Sequence, residues 1–89
     1  LYVYLETEIL MRIDKFLKVS RLIKRRTVAN EACSGDRIKL NGKVAKPGDR
    51  VKPGDKIELM FGDKTLAVEV VSVAETVRKE DADKMYKVL

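Results

Sequence analysis

The sequence predicts a small α+β fold, in which two short N-terminal helices pack on a small antiparallel sheet. Residues 13 to 22 place apolar side chains three and four positions apart, as in an amphipathic helix, whereas the segments after residue 37 alternate apolar and polar residues, as strands do. A length of 89 residues allows one domain with a single modest core. Helices and sheet then form two layers, because the helices are the elements available to cover the apolar face of the sheet.

The first helix is predicted from Ile13 to about Leu22. Its apolar positions are Ile13, Phe16, Leu17 and Val19, and its neighbouring basic stripe is Lys15, Lys18 and Arg21. A helix that continued unbroken through Arg26 would carry charge around much of its circumference, so we expect a break at residues 23 to 26. A basic loop then joins the two helices.

The second helix is predicted to begin at or be capped by Thr27 and to stop at Gly35, a residue suited to a left-handed helix cap. Its expected inward positions are Val28, Ala29, Ala32 and Cys33. Cys33 is therefore predicted to be a core residue. A role as nucleophile is disfavoured, because the chain has no histidine to act as its base.

A strand and a two-residue turn are predicted within RIKLNGKV, residues 37 to 44. Apolar and basic residues alternate before Asn41-Gly42, a strong turn signal because both residues tolerate positive φ. A strict hairpin about this turn would place Leu40 opposite Lys43 and so mix apolar and basic side chains on one face. We therefore expect irregular pairing after the turn.

The motif KPGD occurs twice, at residues 46–49 and 52–55. Pro followed by Gly suits the two central positions of a type II turn, so the repeat predicts two corners that hold Val51 inward. Neither copy has the glycine-bounded lysine of a nucleotide-binding loop, so a structural role is favoured over a phosphate site.

Two further strands are predicted at residues 56–61 and 66–71, where apolar and polar residues alternate on either side of a turn at residues 62–63. Phe61, like Phe16, falls on an apolar face. Both rings are expected to lie in the core rather than to stack on nucleic-acid bases.

The net charge of +5 is concentrated in the first half of the chain. Residues 12–26 contain seven Lys or Arg and one acid, Asp14, which gives this segment a net charge of +6. A face that served solubility alone would mix both signs, because like charges three or four positions apart repel. We therefore expect an electropositive face that binds a polyanion, for which nucleic acid is the first choice.

Composition disfavours several other classes of protein. No apolar run approaches the ~20 residues of a membrane-spanning helix, and the first ten residues do not resemble a secretory signal, so a cytoplasmic protein without a membrane partner is expected. One cysteine and no histidine allow no internal disulfide and disfavour zinc binding and acid/base catalysis. We therefore expect no enzyme, no cofactor and no metal.

Residues 11 to 59 resemble the S4 RNA-binding domain. The matching features are R-x-D-K-x-L at residues 12–17, the basic turn at residues 21–27, Gly35-Asp36-Arg37, Asn41-Gly42 and VKPGD at residues 51–55. Within that superfamily, the uninterrupted DKFLKVSRLIKRRT, the FGDK turn and a short tail containing Met85-Tyr86 are most similar to the RqcP family of the heat-shock S4 group. The resemblance implies an S4-type domain at residues 11–76, with residues 1–10 as a leader outside the family pattern and residues 77–89 as a short tail that allows a helix.

The resemblance also implies a role on the ribosome. Members of that family bind the large subunit that retains a peptidyl-tRNA after a stalled ribosome splits, and they contact both rRNA and the P-site tRNA while a partner adds alanine tails to the nascent chain. The implied partners are the large ribosomal subunit, large-subunit rRNA, peptidyl-tRNA and an RqcH-type tailing factor. The implied location is cytoplasmic and ribosome-associated, and no catalysis is implied.

Residue types predict how such a protein would bind RNA. Proteins that recognise structured RNA rely on phosphate and 2′-hydroxyl contacts, because the base edges of an A-form helix are inaccessible. Arginine can hold a phosphate through two parallel hydrogen bonds, whereas lysine acts as a point charge. The residues expected to bind RNA are Arg12, Lys15, Lys18, Arg21, Lys24, Arg25, Arg26, Arg37 and Asn41.

Other functions stay open at this point. The protein could be an S4-type binder of another structured RNA or, less favoured, a helix-turn-helix protein that reads DNA. The second helix offers Asn30, Glu31 and Ser34 as polar readers of bases, and Glu31 would repel phosphate. A fragment of a pseudouridine synthase is disfavoured, because the residues outside the binding module are too few for a catalytic domain.

Overall fold

Residues 11–73 and 78–89 are described by the computed structural model, and they form two α-helices, one 3₁₀ helix and seven strands. In chain order the elements are β1 (Met11–Arg12), α1 (Ile13–Val19), α2 (Arg26–Ser34), β2 (Ile38–Leu40), β3 (Lys43–Val44), β4 (Arg50–Val51), β5 (Lys56–Phe61), β6 (Lys64–Val70), the 3₁₀ helix (Lys79–Met85) and β7 (Tyr86–Val88). The predicted α+β class is confirmed. The predicted leader and the last three residues of the predicted S4-type domain lie outside the described residues.

Five strands form one antiparallel sheet in the order β3-β2-β5-β6-β7. In its centre the register pairs Ile57 with Val68 and Leu59 with Leu66, so apolar side chains form rows on one face. Strands β1 and β4 form a separate antiparallel pair. This short pair ties the start of α1 to the segment between the two KPGD turns.

The inward faces of both helices and the sheet meet in one core. Phe16 and Leu17 of α1 and Ala29 and Cys33 of α2 are fully buried, which confirms the predicted core positions of Phe16 and Cys33. The sheet contributes Ile38, Ile57, Leu59, Val68 and Val70. In the part of the chain that the structure describes, no helix is long and apolar enough to cross a membrane.

Two residues predicted for the core lie at the surface. Val28 is 46% exposed and Phe61 is 51% exposed, so both predictions are wrong. In a helix of 3.6 residues per turn, Val28 is rotated by roughly 100° from Ala29, and Ala29 with Cys33 forms the inward face. Phe61 follows the alternation of β5, but it is the last residue of the strand and lies next to the turn, where the core ends.

α1 ends about three residues earlier than predicted, at Val19. Arg21 adopts a left-handed φ of 64°, and the Ser20 hydroxyl donates to the carbonyl of Leu17 at 3.3 Å. The reversed chain brings the amide of Ile23 to the same carbonyl at 3.0 Å and buries the Ile23 side chain to 7% exposure. The predicted break between the helices is therefore present, but it begins earlier because burial of Ile23 requires the chain to turn there.

The two KPGD turns share one hydrogen-bond pattern. In each turn the aspartate amide donates to the lysine carbonyl, and the aspartate carboxylate accepts from the lysine amide, for Asp49 with Lys46 and for Asp55 with Lys52. Val51, between the two turns, is fully buried, as predicted.

The predicted type II geometry is right for one of these turns and wrong for the other. Gly54 has a φ of 97°, as the third position of a type II turn requires, whereas Gly48 does not have a positive φ. The turn that contains Gly48 presents its carbonyl groups to α1, since the carbonyl of Asp49 accepts from the amide of Ile13 at 2.7 Å. The two copies therefore differ in both geometry and neighbours.

The hairpin between β2 and β3 has a regular register, with Leu40 opposite Lys43 and Lys39 opposite Val44. The predicted irregular pairing is therefore wrong. Strand β3 is a two-residue edge strand whose side chains are both exposed, so mixing apolar and basic residues on its faces sacrifices little burial.

The tail consists of the 3₁₀ helix followed by β7, which pairs with β6 and forms one edge of the sheet. Met85 is buried and Tyr86 is half-buried, whereas Leu89 is exposed. Strand β7 was not anticipated from the sequence, because its three residues are too few to display an alternating pattern.

The environment of Cys33 predicts an unreactive thiol. Burial, together with the charges of Asp14 and Asp49, raises the pKa of Cys33 to about 11, so the nucleophilic thiolate is scarce at neutral pH. We expect iodoacetamide to modify the native protein very slowly and the urea-unfolded protein rapidly, as followed by mass spectrometry. Equal rates in the two states would contradict the buried position.

Candidate nucleic-acid interface

A buried carboxylate, that of Asp14, lies in the first turn of α1. Its side chain is only 2% exposed, which is rare for an acid that lacks partners. The backbone here is fixed by the first KPGD turn, because the amides of Ile13 and Asp14 donate to the carbonyls of Asp49 and Pro47 at 2.7 and 3.5 Å. A negative charge in the first turn is also favoured by the helix dipole. The fold therefore sets the position of this carboxylate.

Two arginines and an asparagine surround the carboxylate and form, with Asp14, the Asp14 cluster. Arg12 donates through Nε and Nη2 to its two oxygens at 3.2 and 3.1 Å. Arg26 Nη2 and Asn30 Nδ2 donate at 3.5 and 3.4 Å. The side chains of Arg12 and Arg26 are 46% and 48% exposed, so each guanidinium keeps N–H donors at the surface. The cluster lines an open groove of about 430 Å³.

The titration of Asp14 reflects this environment. Burial acts to raise the pKa of Asp14, but the hydrogen bonds from Arg12 and Asn30 and the charges of Arg26 and Arg12 outweigh it and hold the pKa below its usual value. Asp14 is therefore ionised at neutral pH, and it attracts both guanidinium groups. The two arginines, which come from β1 and from the start of α2, are held beside each other by one shared anion.

The lowered pKa of Asp14 predicts an acid-labile contribution to stability. Because its pKa is lower in the folded state than in the unfolded state, this contribution is complete above the unfolded value of about 3.9 and disappears as the pH falls through the folded value. We expect the difference in urea midpoint between wild type and Asp14→Asn to shrink as the pH is lowered below about 4. A difference that is independent of pH would show that the charge of Asp14 contributes nothing.

A further arginine, Arg50, lies next to Arg12 of the Asp14 cluster and was not predicted from the sequence. It lies directly opposite Arg12 in the pairing of β1 with β4, and directly opposed residues of an antiparallel pair share one face. Both side chains are exposed. No local signal could reveal this neighbour, because the two residues are 38 positions apart and meet only when β1 and β4 pair.

Most of the other predicted RNA-binding cations follow the path from α1 to α2. Lys18, Arg21, Lys24 and Arg25 are exposed, and Lys15 is half-buried on α1. They lead along α1 and the interhelical loop to Arg26, the first residue of α2. The structure thus connects the predicted basic stripe with the Asp14 cluster.

The last two predicted residues, Arg37 and Asn41, lie elsewhere. The Arg37 side chain packs beside Gly35, with Nε 3.3 Å from the position that a Cβ would take there. The Asn41 side chain donates to Asp55 at 3.2 Å and accepts from the amide of Lys56 at 2.9 Å, so it links the hairpin turn to the second KPGD turn. Asn41 therefore has a structural role, and its contact with RNA stays a prediction.

The class of protein to which the chain belongs follows from its similarity to known proteins. The family model described as S4 domain matches residues 11–57, more than half of the chain. The structure is similar to the trimeric structure of Heat Shock Protein 15 from Vibrio cholerae, with a TM-score of 0.83 and 27% sequence identity over 90% of this chain and 82% of that chain. The chain is thus a small S4-domain protein in both sequence and fold.

Two similar proteins show to which family of S4-domain proteins the chain belongs. The chain is 59% identical to the RQC P-site tRNA stabilizing factor of Halalkalibacterium halodurans, over 88% of this chain and 89% of the relative. It is 52% identical to the protein of the same name from Bacillus subtilis, over 89% of this chain and 92% of the relative. The chain belongs to the S4-domain family of RQC P-site tRNA stabilizing factors, the RqcP family that its motifs indicate.

Proposed function

We propose that the protein binds the large ribosomal subunit that carries peptidyl-tRNA after a stalled ribosome has split. In this proposal it contacts large-subunit rRNA and the P-site tRNA, and it supports alanine tailing of the nascent chain by an RqcH-type factor. The protein acts by binding rather than by catalysis, and it is cytoplasmic and ribosome-associated. The names of its relatives support this role, since they are called P-site tRNA stabilizing factors.

The observation that carries the proposal is the pair of arginines held by one buried carboxylate. Ordering a long side chain on binding costs about 0.5–1.5 kcal/mol, and Arg12 and Arg26 are already ordered by Asp14. Each retains N–H donors at the surface, so the pair can hold adjacent phosphates or one phosphate between them. This is the geometry expected for reading the backbone of a structured RNA.

The basic residues around the loop would add affinity of a less directional kind. Lys18, Lys24 and Arg25 are exposed and flank the cluster along the chain. Together with the two clustered arginines they allow five phosphate contacts, for which the slope of log affinity against log salt would be on the order of four by analogy with duplex DNA. Binding should therefore be strong at low salt and weaken steeply as salt is added.

A helix-turn-helix function on DNA receives little support from the second helix. Asn30, one of its three polar candidates for base reading, directs its amide to Asp14 at 3.4 Å. Glu31 is exposed on the same helix, where it would repel phosphate. Two of the three candidate side chains on α2 are thus poorly suited to reading bases in a DNA groove.

Sucrose-gradient sedimentation of the tagged protein in a bacterial lysate would test the proposal. We expect co-migration with free large subunits, in fractions that also contain tRNA-linked nascent chains with alanine tails. Arg26→Ala should shift the protein to the top of the gradient, whereas Lys87→Ala should not. Both changes remove one positive charge from an exposed side chain, but Lys87 lies on β7, opposite Glu69.

Two outcomes would contradict the proposed function. Wild-type protein that stays at the top of the gradient even at low salt would place its RNA target elsewhere. Equal loss of binding by Arg26→Ala and Lys87→Ala would show that net charge, rather than the arginine pair, determines the interaction.

A further inference from the structure

A second groove, of about 230 Å³, adjoins the basic loop and differs in chemistry from the groove of the Asp14 cluster. Most of its lining is apolar, with Arg37 and Glu31 as polar members. The apolar lining residues are Leu22, Ile23, Val28, Ala32, Ile38, Met60 and Phe61. Val28 and Phe61, which were wrongly assigned to the core from the sequence, are about half exposed here. The groove therefore presents an aliphatic and an aromatic side chain to solvent.

We propose that this groove binds a single unstacked nucleobase of the RNA held by the basic surface. The proposal rests on the proposed RNA binding and adds a specific subsite to it. The exposed ring of Phe61 offers a stacking partner, and proteins that recognise unpaired nucleotides commonly stack the base on an aromatic side chain.

The charges beside the groove favour a nucleotide as its occupant. Leu22 and Ile23 line the groove, and their chain neighbours Arg21 and Lys24 are exposed cations of the interhelical loop. Arg37, which lines the groove itself, is a third cation. A base in the groove would therefore carry its phosphate close to several positive charges. Glu31 brings a negative charge to the lining, where its carboxylate can accept hydrogen bonds from a base.

The size of the groove favours a base over a protein segment. Pockets for drug-sized ligands span about 300–1,000 Å³, and 230 Å³ is suited to a smaller planar group. A docked amphipathic helix needs a groove long enough for anchors over two turns, and a stable protein interface covers about 800 Å² on each partner. The groove is therefore matched to one ring system with polar edges.

The test uses two RNA hairpins that differ only at one bulged nucleotide, which carries 2-aminopurine in one hairpin and an abasic sugar in the other. The two hairpins have the same number of phosphates, so a difference in affinity reports the base alone. We expect the wild-type protein to prefer the 2-aminopurine hairpin by about fivefold or more, which is the effect of one stacked base. The fluorescence of the 2-aminopurine should also change on binding.

Variants assign this preference to the groove. Phe61→Ala and Val28→Ser should each reduce the preference for the base, while affinity for the abasic hairpin stays unchanged. Val71→Ser is the matched control for Val28→Ser, because Val71 is also an exposed valine, at 50%, but does not line the groove. Thermal melting of each variant checks that the fold is intact. If one of the two groove variants does not fold, the other still tests the groove.

Two other outcomes would overturn the base subsite, and they show separately whether the proposed RNA binding still holds. Equal affinity of the wild-type protein for both hairpins would reject the base subsite. If Arg26→Ala then bound both hairpins more weakly than wild type, the proposed RNA binding would still be supported. If Phe61→Ala kept the base preference but lost co-sedimentation with large subunits, the occupant would be a protein segment, and the nucleobase proposal would be wrong.

Discussion

Replacement of Leu17 by alanine is expected to destabilise the protein by about 2 to 5 kcal/mol. Leu17 is fully buried in the core that the helices and the sheet share, so the change removes buried methyl groups and leaves a cavity. Small domains have total stabilities of about 5–15 kcal/mol, so this loss removes a large share. Urea unfolding followed by circular dichroism would measure it.

Lys18→Ala is the control for the change at Leu17. Lys18 is the next residue of α1 and is exposed, so the substitution Lys18→Ala places alanine in the same helix without opening a cavity. We expect it to change stability by no more than about 0.5 kcal/mol. Similar losses for the two variants would show that the effect belongs to the helix backbone rather than to the core.

Replacement of Asp14 by alanine is expected to weaken RNA binding, although it raises the net charge from +5 to +6. If general attraction determined affinity, loss of an acid would strengthen binding. If the arginine pair determines it, Arg12 and Arg26 lose the acceptor that orders them, and affinity falls. We expect at least a roughly tenfold loss, since about 1.4 kcal/mol of side-chain ordering corresponds to that factor. Fluorescence polarisation with labelled tRNA would measure it.

The matched control for Asp14→Ala is Glu80→Ala, which also removes one acid but lies on the exposed part of the 3₁₀ helix. Its RNA affinity should be unchanged or slightly higher. Tighter binding by Asp14→Ala than by wild type would reject a positioning role for the carboxylate. Both variants should first be checked by thermal melting, because Asp14→Ala also removes hydrogen bonds to three side chains.

The core could be predicted from the sequence where one face of an element is clearly apolar. Phe16 and Cys33 lie inside as expected because helical spacing alone fixes their direction, and Val51 lies inside because the two flanking turns orient it. The failures fall at the limits of such patterns. Val28 is one residue off the inward face, and Phe61 has the right direction but lies beyond the end of the core.

The candidate interface was harder to predict than the core, because contacts between residues that are distant in the sequence determine it. The sequence shows a basic segment with one acid, but it does not show that Asp14 is buried with Arg12, Arg26 and Asn30 around it. Helical spacing relates residues within α1 or within α2, whereas this cluster joins the two helices and β1. Arg50 was missed for the same reason.

The short pairing of β1 with β4 has a consequence for the order of folding. The helical hairpin is local in sequence, so we expect it to form early, and we expect contacts between distant segments to form late because a long loop must first be closed. Met11 and Arg12 find their partners 40 and 38 positions away, and the first amides of α1 find theirs in the adjacent turn. The backbone of Arg12 is therefore paired only when the chain has folded as far as β4. A partly folded chain would expose basic residues without the paired geometry, and an RNA that selects that geometry would bind and stabilise the completed domain in preference to its precursors.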